Sequence, residues 1–169
     1  MYRWTKPSDF DALGLVMFDA IHAVPSPYSA AQRLAWLPRA HSGPDWAARL
    51  CAQRVAVLDQ GGPRGFATLR ADGYLDMIFL APEARGQGHF RGLMTMLTQE
   101  AENQKMPELT THASLAAQGP FLSLGFELVC HETVSRDGQT LARAYMRRPL
   151  HAIPPVPHHP EPIPRPEPT

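Results

Sequence analysis

Ile78-Phe79-Leu80-Ala81-Pro82-Glu83-Ala84-Arg85-Gly86-Gln87-Gly88-His89-Phe90-Arg91 is the stretch on which the reading of this chain turns. An apolar, β-prone run enters a turn holding two glycines, and the turn opens a long amphipathic segment. In that segment Phe90, Leu93, Met94, Leu97 and Ala101 recur at helical spacing, which predicts a helix over 89–105. The first N–H groups of such a helix have no partner within it and stand at the positive end of its dipole. A glycine turn leading into them is an anion or pyrophosphate site by geometry alone. Two better-known phosphate loops do not fit. No Gly-Lys pair occurs anywhere, so there is no P-loop, and Gly86-Gln87-Gly88-His89-Phe90-Arg91-Gly92 misses the third glycine of a dinucleotide fingerprint by one place.

Outward from this turn the chain divides by character. Upstream, Arg54–Asp59, Gly65–Arg70 and Tyr74–Leu80 read as three strands, with Gln60-Gly61-Gly62-Pro63 and Asp72-Gly73 as their turns. On Tyr74–Leu80, alternation expects Tyr74, Asp76, Ile78 and Leu80 on one face and Leu75, Met77 and Phe79 on the other. The first fifty residues are mainly helical after a short strand over Tyr2–Lys6. Ser8 is the expected cap of the first helix, Ser29 with Gln32 forms a capping box for the second, and Pro44-Asp45 opens a third. Downstream, Leu109–Ala113 is a strand, Ala116–Leu124 a short helix stopped by Gly125, and Phe126–Val134 and Thr140–Met146 are final strands. The order predicts an α/β fold with a mixed, mainly antiparallel central sheet of about seven strands flanked by helices.

Composition sets the limits. Nine of the eighteen prolines fall from Pro149 onward, so residues 1–150 are expected to form one domain and 151–169 a Pro-rich tail that carries no core. Sixteen Lys+Arg balance sixteen Asp+Glu without a basic stripe, which argues against nucleic acid and anionic membrane as partners. Cys51 and Cys130 are far apart and show no C-x-x-C pattern. They read as reduced thiols, and with no apolar leader or spanning run the expected location is cytoplasmic. His151, His158 and His159 match no standard metal-ligand spacing, so no metal is expected.

The central loop resembles the acetyl-CoA loop of the GNAT superfamily of N-acetyltransferases, whose pattern is [QR]-x-x-G-x-[GA]. Arg85-Gly86-Gln87-Gly88-His89-Phe90 matches it except at the last place, and Phe121-Leu122-Ser123-Leu124-Gly125-Phe126 resembles the family's "FYEKLGF" segment. The resemblance spans Tyr2 to about Leu150 and implies the GNAT fold. It implies an acyltransferase that moves the acetyl group of acetyl-CoA, its co-substrate, to an amine of a small molecule or peptide. Phe90 departs from the pattern, and Phe121 replaces a tyrosine that would donate a proton. The alternative is therefore a non-catalytic acyl-CoA-binding or regulatory GNAT-like module.

Carried over residue by residue, the backbone from Arg85 and Gly86 through Gln87, Gly88, His89, Phe90 and Arg91 would face the pyrophosphate. Ile78, Phe79 and Leu80 would pair with the pantetheine arm between two diverging parallel strands, with Ser114 and Phe121 beside it. Asp76 is the candidate base, and Tyr74, Tyr28 and His22 are the groups available as acid. The acceptor site would lie among the first helices, at His22, Tyr28 and Trp36. There the spacing Tyr28-Ser29-x-x-Gln32-x-x-Ala35-Trp36 resembles a branch of small uncharacterised bacterial acetyltransferases. The family's members often dimerise, so a homodimer is admitted.

Overall fold

Strands form where β-branched and large apolar residues cluster, and in the central strands both faces are covered. Val55, Ala56, Val57 and Leu58 are all buried, as a strand clothed on two sides requires. The computed structural model describes residues 1–150; the Pro-rich tail, including His151, His158 and His159, lies outside the described residues.

In chain order the elements are β1 (Tyr2–Trp4), α1 (Phe10–His22), α2 (Ala30–Trp36), α3 (Gly43–Cys51), β2 (Arg54–Asp59), β3 (Pro63–Leu69), β4 (Tyr74–Leu80), α4 (His89–Asn103), β5 (Glu108–Ser114), α5 (Gln118–Leu122), β6 (Glu127–Arg136) and β7 (Gln139–Pro149). The strands make one seven-stranded sheet in the order β1-β2-β3-β4-β5-β7-β6. Every pairing is antiparallel except β4 with β5. The expected α/β sandwich with a mixed, mainly antiparallel sheet is what the chain forms.

Two cores cover the sheet. Against one face α4 lays Leu93, Met94, Leu97 and Ala101 on Ala56, Leu58, Ala67, Leu69 and Leu75. Against the other, Leu13, Val16, Met17 and Ile21 of α1, with Trp46 and Leu50 of α3, pack on Val55, Val57, Phe66 and Met77. The 3–4 spacing of the α1 and α4 stripes is the spacing that keeps one helix face on a sheet. Gly14 lets α1 approach the loop after α2, since a Cβ there would collide with the His41 carbonyl oxygen.

Of three local expectations, one holds and two change. The Ser29–Gln32 box forms as read: the Gln32 N–H donates to Ser29 Oγ at 3.1 Å and the Ser29 N–H to Gln32 Oε1 at 2.8 Å. Ser8, however, does not cap α1. It lies in a 3-10 turn (Pro7–Asp9), and Asp9 is the flanking residue. The Asp9 carboxylate is drawn the other way, to the Arg3 guanidinium at 2.7 and 2.9 Å and to the Lys6 N–H.

The second change shapes the site. The β3–β4 register runs Ala67↔Ile78 and then Leu69↔Leu75, so Asp76 and Met77 together oppose Thr68. This is a β-bulge, and it resets the alternation. Leu75, Ile78 and Leu80 belong with the α4 core, while Met77 and Phe79 belong with the α1 core. The expected face of Tyr74, Asp76, Ile78 and Leu80 is therefore split. Thr68, fully buried, accepts the Met77 N–H on its Oγ1 at 3.0 Å, satisfying a bulged amide that would otherwise be orphaned.

Candidate active site

The bulge sits where the only parallel pair of the sheet comes apart. β4 and β5 pair at Tyr74↔Thr110 and Leu75↔Thr111, with the Thr111 hydroxyl donating to the Leu75 carbonyl at 3.0 Å. Beyond those two pairs the strands part, leaving the β5-facing edge of Ile78, Phe79 and Leu80 without a ladder partner. A cavity of about 330 Å³ occupies the opening, lined by Ile78, Phe79, Leu80, Gly86, Phe90 and Ser114 among others.

The loop at the mouth of this cavity takes its shape from its glycines. Gly86 and Gly88 hold φ of +71° and +79°, a left-handed backbone that residues with side chains reach only at a cost. Among the described residues no acceptor meets the backbone N–H groups of Gln87 to Arg91. Unpaired amides at a helix start are the arrangement that suits an anion. Arg85 does not point into it: its Nη2 donates to the Ala20 carbonyl at 2.6 Å and pins the loop to α1. His89 is held by the Tyr2 hydroxyl, 2.9 Å from Nδ1. Phe90 turns its ring into the α4 core, edge-to-face on Phe121 at 5.1 Å, and leaves its amide on the cradle. Phe121 itself is buried in that core, against Phe126, and lines neither cavity.

A second cavity of about 310 Å³ lies on the α1–α3 side of the sheet, and Tyr28, Trp36, Phe79 and Ser114 line both. The two spaces therefore meet at those four residues. Trp36 packs edge-to-face on Tyr28 at 5.5 Å. The Tyr28 hydroxyl donates to the Ala142 carbonyl at 2.7 Å and accepts the Leu115 N–H at 3.0 Å, so it ties β7 to the end of β5. Burial raises its pKa, and the phenol keeps its proton.

The bulge brings Tyr74 and Asp76 into this second cavity beside Met77 and Phe79. Asp76 is not a bare carboxylate. Its Oδ2 receives Arg49 Nη2 at 2.9 Å, Arg49 Nε at 3.1 Å and Gln53 Nε2 at 3.0 Å. His22 is not brought to either cavity: it stacks on Phe18 and its Nε2 lies 2.8 Å from the Leu37 carbonyl. His112 on β5, which no sequence motif singles out, does line the cavity, 2.9 Å from the Tyr74 hydroxyl. Its one sequence signal was its place two residues from Ser114, on the same face of the strand. Among the described residues no group of three His, Cys, Asp or Glu is placed to hold a metal, and no helix is long and apolar enough to cross a membrane.

A left-handed glycine turn at a helix start thus stands beside two parted parallel strands. The model of the acetyltransferase (GNAT) domain matches residues 28–146, and the chain belongs to the GNAT acetyltransferase family. Among solved structures, a GCN5-related N-acetyltransferase from Rhodopseudomonas palustris shares 28% identity and superposes with a TM-score of 0.81, over 88% of this chain and 94% of that one. A phosphinothricin acetyltransferase from Sinorhizobium meliloti, solved with acetyl-CoA, gives 20% and 0.70 over 88% and 87%. The acetyltransferase yncA from Salmonella typhimurium, also with acetyl-CoA, gives 20% and 0.63 over 91% and 96%. Those last two likenesses speak for the fold alone. No curated protein matches the chain.

Proposed function

We propose that the protein is an acetyl-CoA-dependent N-acetyltransferase acting on the amine of a small molecule or peptide. The observation that carries this is the meeting of two cavities at Tyr28, Trp36, Phe79 and Ser114. One runs back to unpaired amides and a free strand edge; the other opens among side chains. The first fits the pyrophosphate and pantetheine of acetyl-CoA: the N–H groups of Gln87 to Arg91 take the anion, and Ile78 to Leu80 offer backbone to an amide-bearing arm. The thioester then reaches the junction, and the acceptor comes from the second cavity. Ser114 stands at the junction within reach of both.

The acceptor side carries Arg49, Arg136 and Arg143 against one lining carboxylate, Asp76. That balance disfavours polyamines and suits an amine borne on a molecule that also carries a carboxylate or similar anion, with Trp36 and Phe79 against its apolar part. Asp76 holds the Arg49 guanidinium at the cavity wall, and taking a proton on Asp76 would cost that ion pair. Direct attack needs a neutral amine aligned on the thioester, and alignment in a closed cavity supplies much of the rate.

Two measurements test the reading. Isothermal titration with acetyl-CoA is expected to show saturable binding, and no binding up to millimolar acetyl-CoA removes it. Thiol release from acetyl-CoA is then followed with a panel of primary amines: amino acids, their amides, aryl and alkyl amines, and dipeptides. Turnover is expected with carboxylate-bearing members. Intact binding without turnover of any member would favour the non-catalytic acyl-CoA-binding module.

A further inference from the structure

Tyr74, His112 and Arg143 of the acceptor cavity connect outward to Glu132, which lies beyond its lining. Tyr74 Oη lies 2.9 Å from His112 Nδ1. On the far side of the ring, His112 Nε2 lies 3.4 Å from Glu132 Oε2, and the same oxygen is held by Arg143 Nη2 at 2.9 Å and Nε at 3.1 Å. Four strands contribute one residue each: β4, β5, β6 and β7. Their registers bring the residues together, with Tyr74 opposite Thr110, His112 opposite Tyr145, and Glu132 opposite Arg143.

His112 Nε2 faces the Glu132 carboxylate at ion-pair distance, 3.4 Å, and a carboxylate oxygen only accepts, which draws the proton of the neutral ring to Nε2. Nδ1 is then bare and accepts the Tyr74 O–H. Resting on the N-acetyltransferase reading, we propose that Tyr74 is a catalytic residue that takes the acceptor's proton while passing its own to His112. Glu132 and Arg143 are positioning residues that orient the ring and steady it when it is charged. As the amine nitrogen forms its bond to the thioester carbonyl carbon, one N–H proton moves to Tyr74 Oη and the Tyr74 proton moves to His112 Nδ1. The C–S bond breaks, the electron pair leaves with the CoA sulfur, and the proton returns from His112 through Tyr74 to that thiolate or to water. Amine and acetyl-CoA become amide and CoA thiol, with nothing else consumed. Tyrosinate is never formed as a resting state.

The surroundings suit this role. Burial, and then the Arg143 charge, hold His112 below its ordinary value of 6.5 against the opposing pull of Glu132, so at neutral pH the ring is a free base. Burial and the neighbouring Asp76 raise Tyr74 and keep its phenol protonated at rest. The charged and titratable groups packed around the pair are Asp76 on β4, Arg70 over the Tyr74 ring at 5.3 Å with its partner Asp72, Glu132 on β6, and Arg143 and Tyr145 on β7. The relay differs from a lone carboxylate base in one respect: its working pH is set by an imidazole.

The test has one arm without an acceptor and one with. Nitrogen-15 NMR of the imidazole rings in the intact protein, no ligand added, is expected to show His112 neutral at pH 7, protonated on Nε2, and titrating below 6.5. Glu132→Gln should move that midpoint further down, because the group that raises it is gone. With acetyl-CoA and the most rapidly acetylated member of the amine panel, kcat/KM should fall on the acid side with the same midpoint. The Glu132→Gln limb should shift with the NMR value. Tyr74→Phe should lower kcat about 100-fold or more, the usual scale of general acid–base assistance, while acetyl-CoA binding stays within about threefold. His112→Gln should erase the acid limb. Tyr74→Phe turnover within threefold of the parent, an acid limb at the parent His112 midpoint surviving in His112→Gln, or a His112 ring charged at pH 7 each overturns the relay. Loss of acetyl-CoA binding by the parent protein instead overturns the acetyltransferase reading.

Discussion

The two cavities are built from different materials. Toward α4 the site is backbone: two left-handed glycines, five unpaired N–H groups and one free strand edge. Toward α1–α3 it is side chains: Tyr28, Trp36, Asp76 with Arg49, and Tyr74 with His112. Backbone donors survive a change of side chain provided φ and ψ survive, which is why Phe90 can stand where the motif has Gly or Ala. Side-chain walls have no such tolerance, and each substitution there changes what the cavity can hold.

The contrast can be broken deliberately. Gly88→Val puts a β-branched residue at φ +79°; distorting the cradle should weaken acetyl-CoA binding by about 10- to 100-fold in titration calorimetry. Thr68→Val keeps the shape but removes the acceptor of the buried Met77 N–H. It should cost about 1–3 kcal/mol in urea unfolding, and it should lower turnover with acetyl-CoA binding nearly unchanged, because Asp76 and Tyr74 hang from that bulge. Asp76→Asn frees Arg49 and should raise the acceptor KM by about tenfold, the scale of one hydrogen-bonded ion pair, while kcat keeps its pH profile. Phe90→Ala retains the amide and should leave the acetyl-CoA Kd within about threefold. A large loss in Phe90→Ala, with Gly88→Val harmless, would reverse the division between the two halves.

The same division explains what could be read from the chain. The backbone half is written in local signals, since glycine spacing, helix period and a capping box each act within a few residues. The helix expected from His89 forms with its apolar stripe of Leu93, Met94, Leu97 and Ala101 buried, while Arg85, expected at the pyrophosphate, is tied to the Ala20 carbonyl instead. The side-chain half depends on pairings across the sheet. A bulge at Asp76 and Met77 cannot be seen from alternation, which assumes none. His112 and Glu132 lie 20 residues apart, and only the β5–β7–β6 register brings them to one side of Tyr74. The resemblance places His22 in the acceptor site, but it is engaged with Phe18 and the Leu37 carbonyl. Ser8 lies within a 3-10 turn whose Asp9 is held by Arg3, a contact that also reaches Asp59 on β2, so it too depends on pairing across the sheet.

The most direct test is a crystal structure of the protein soaked with acetyl-CoA. Pyrophosphate oxygens within hydrogen-bond distance of the amides of Gln87 to Arg91, the pantetheine arm between β4 and β5, and the thioester at Tyr28, Trp36, Phe79 and Ser114 are expected. An acetyl-CoA bound elsewhere, or with its thioester away from the junction of the two cavities, would contradict it.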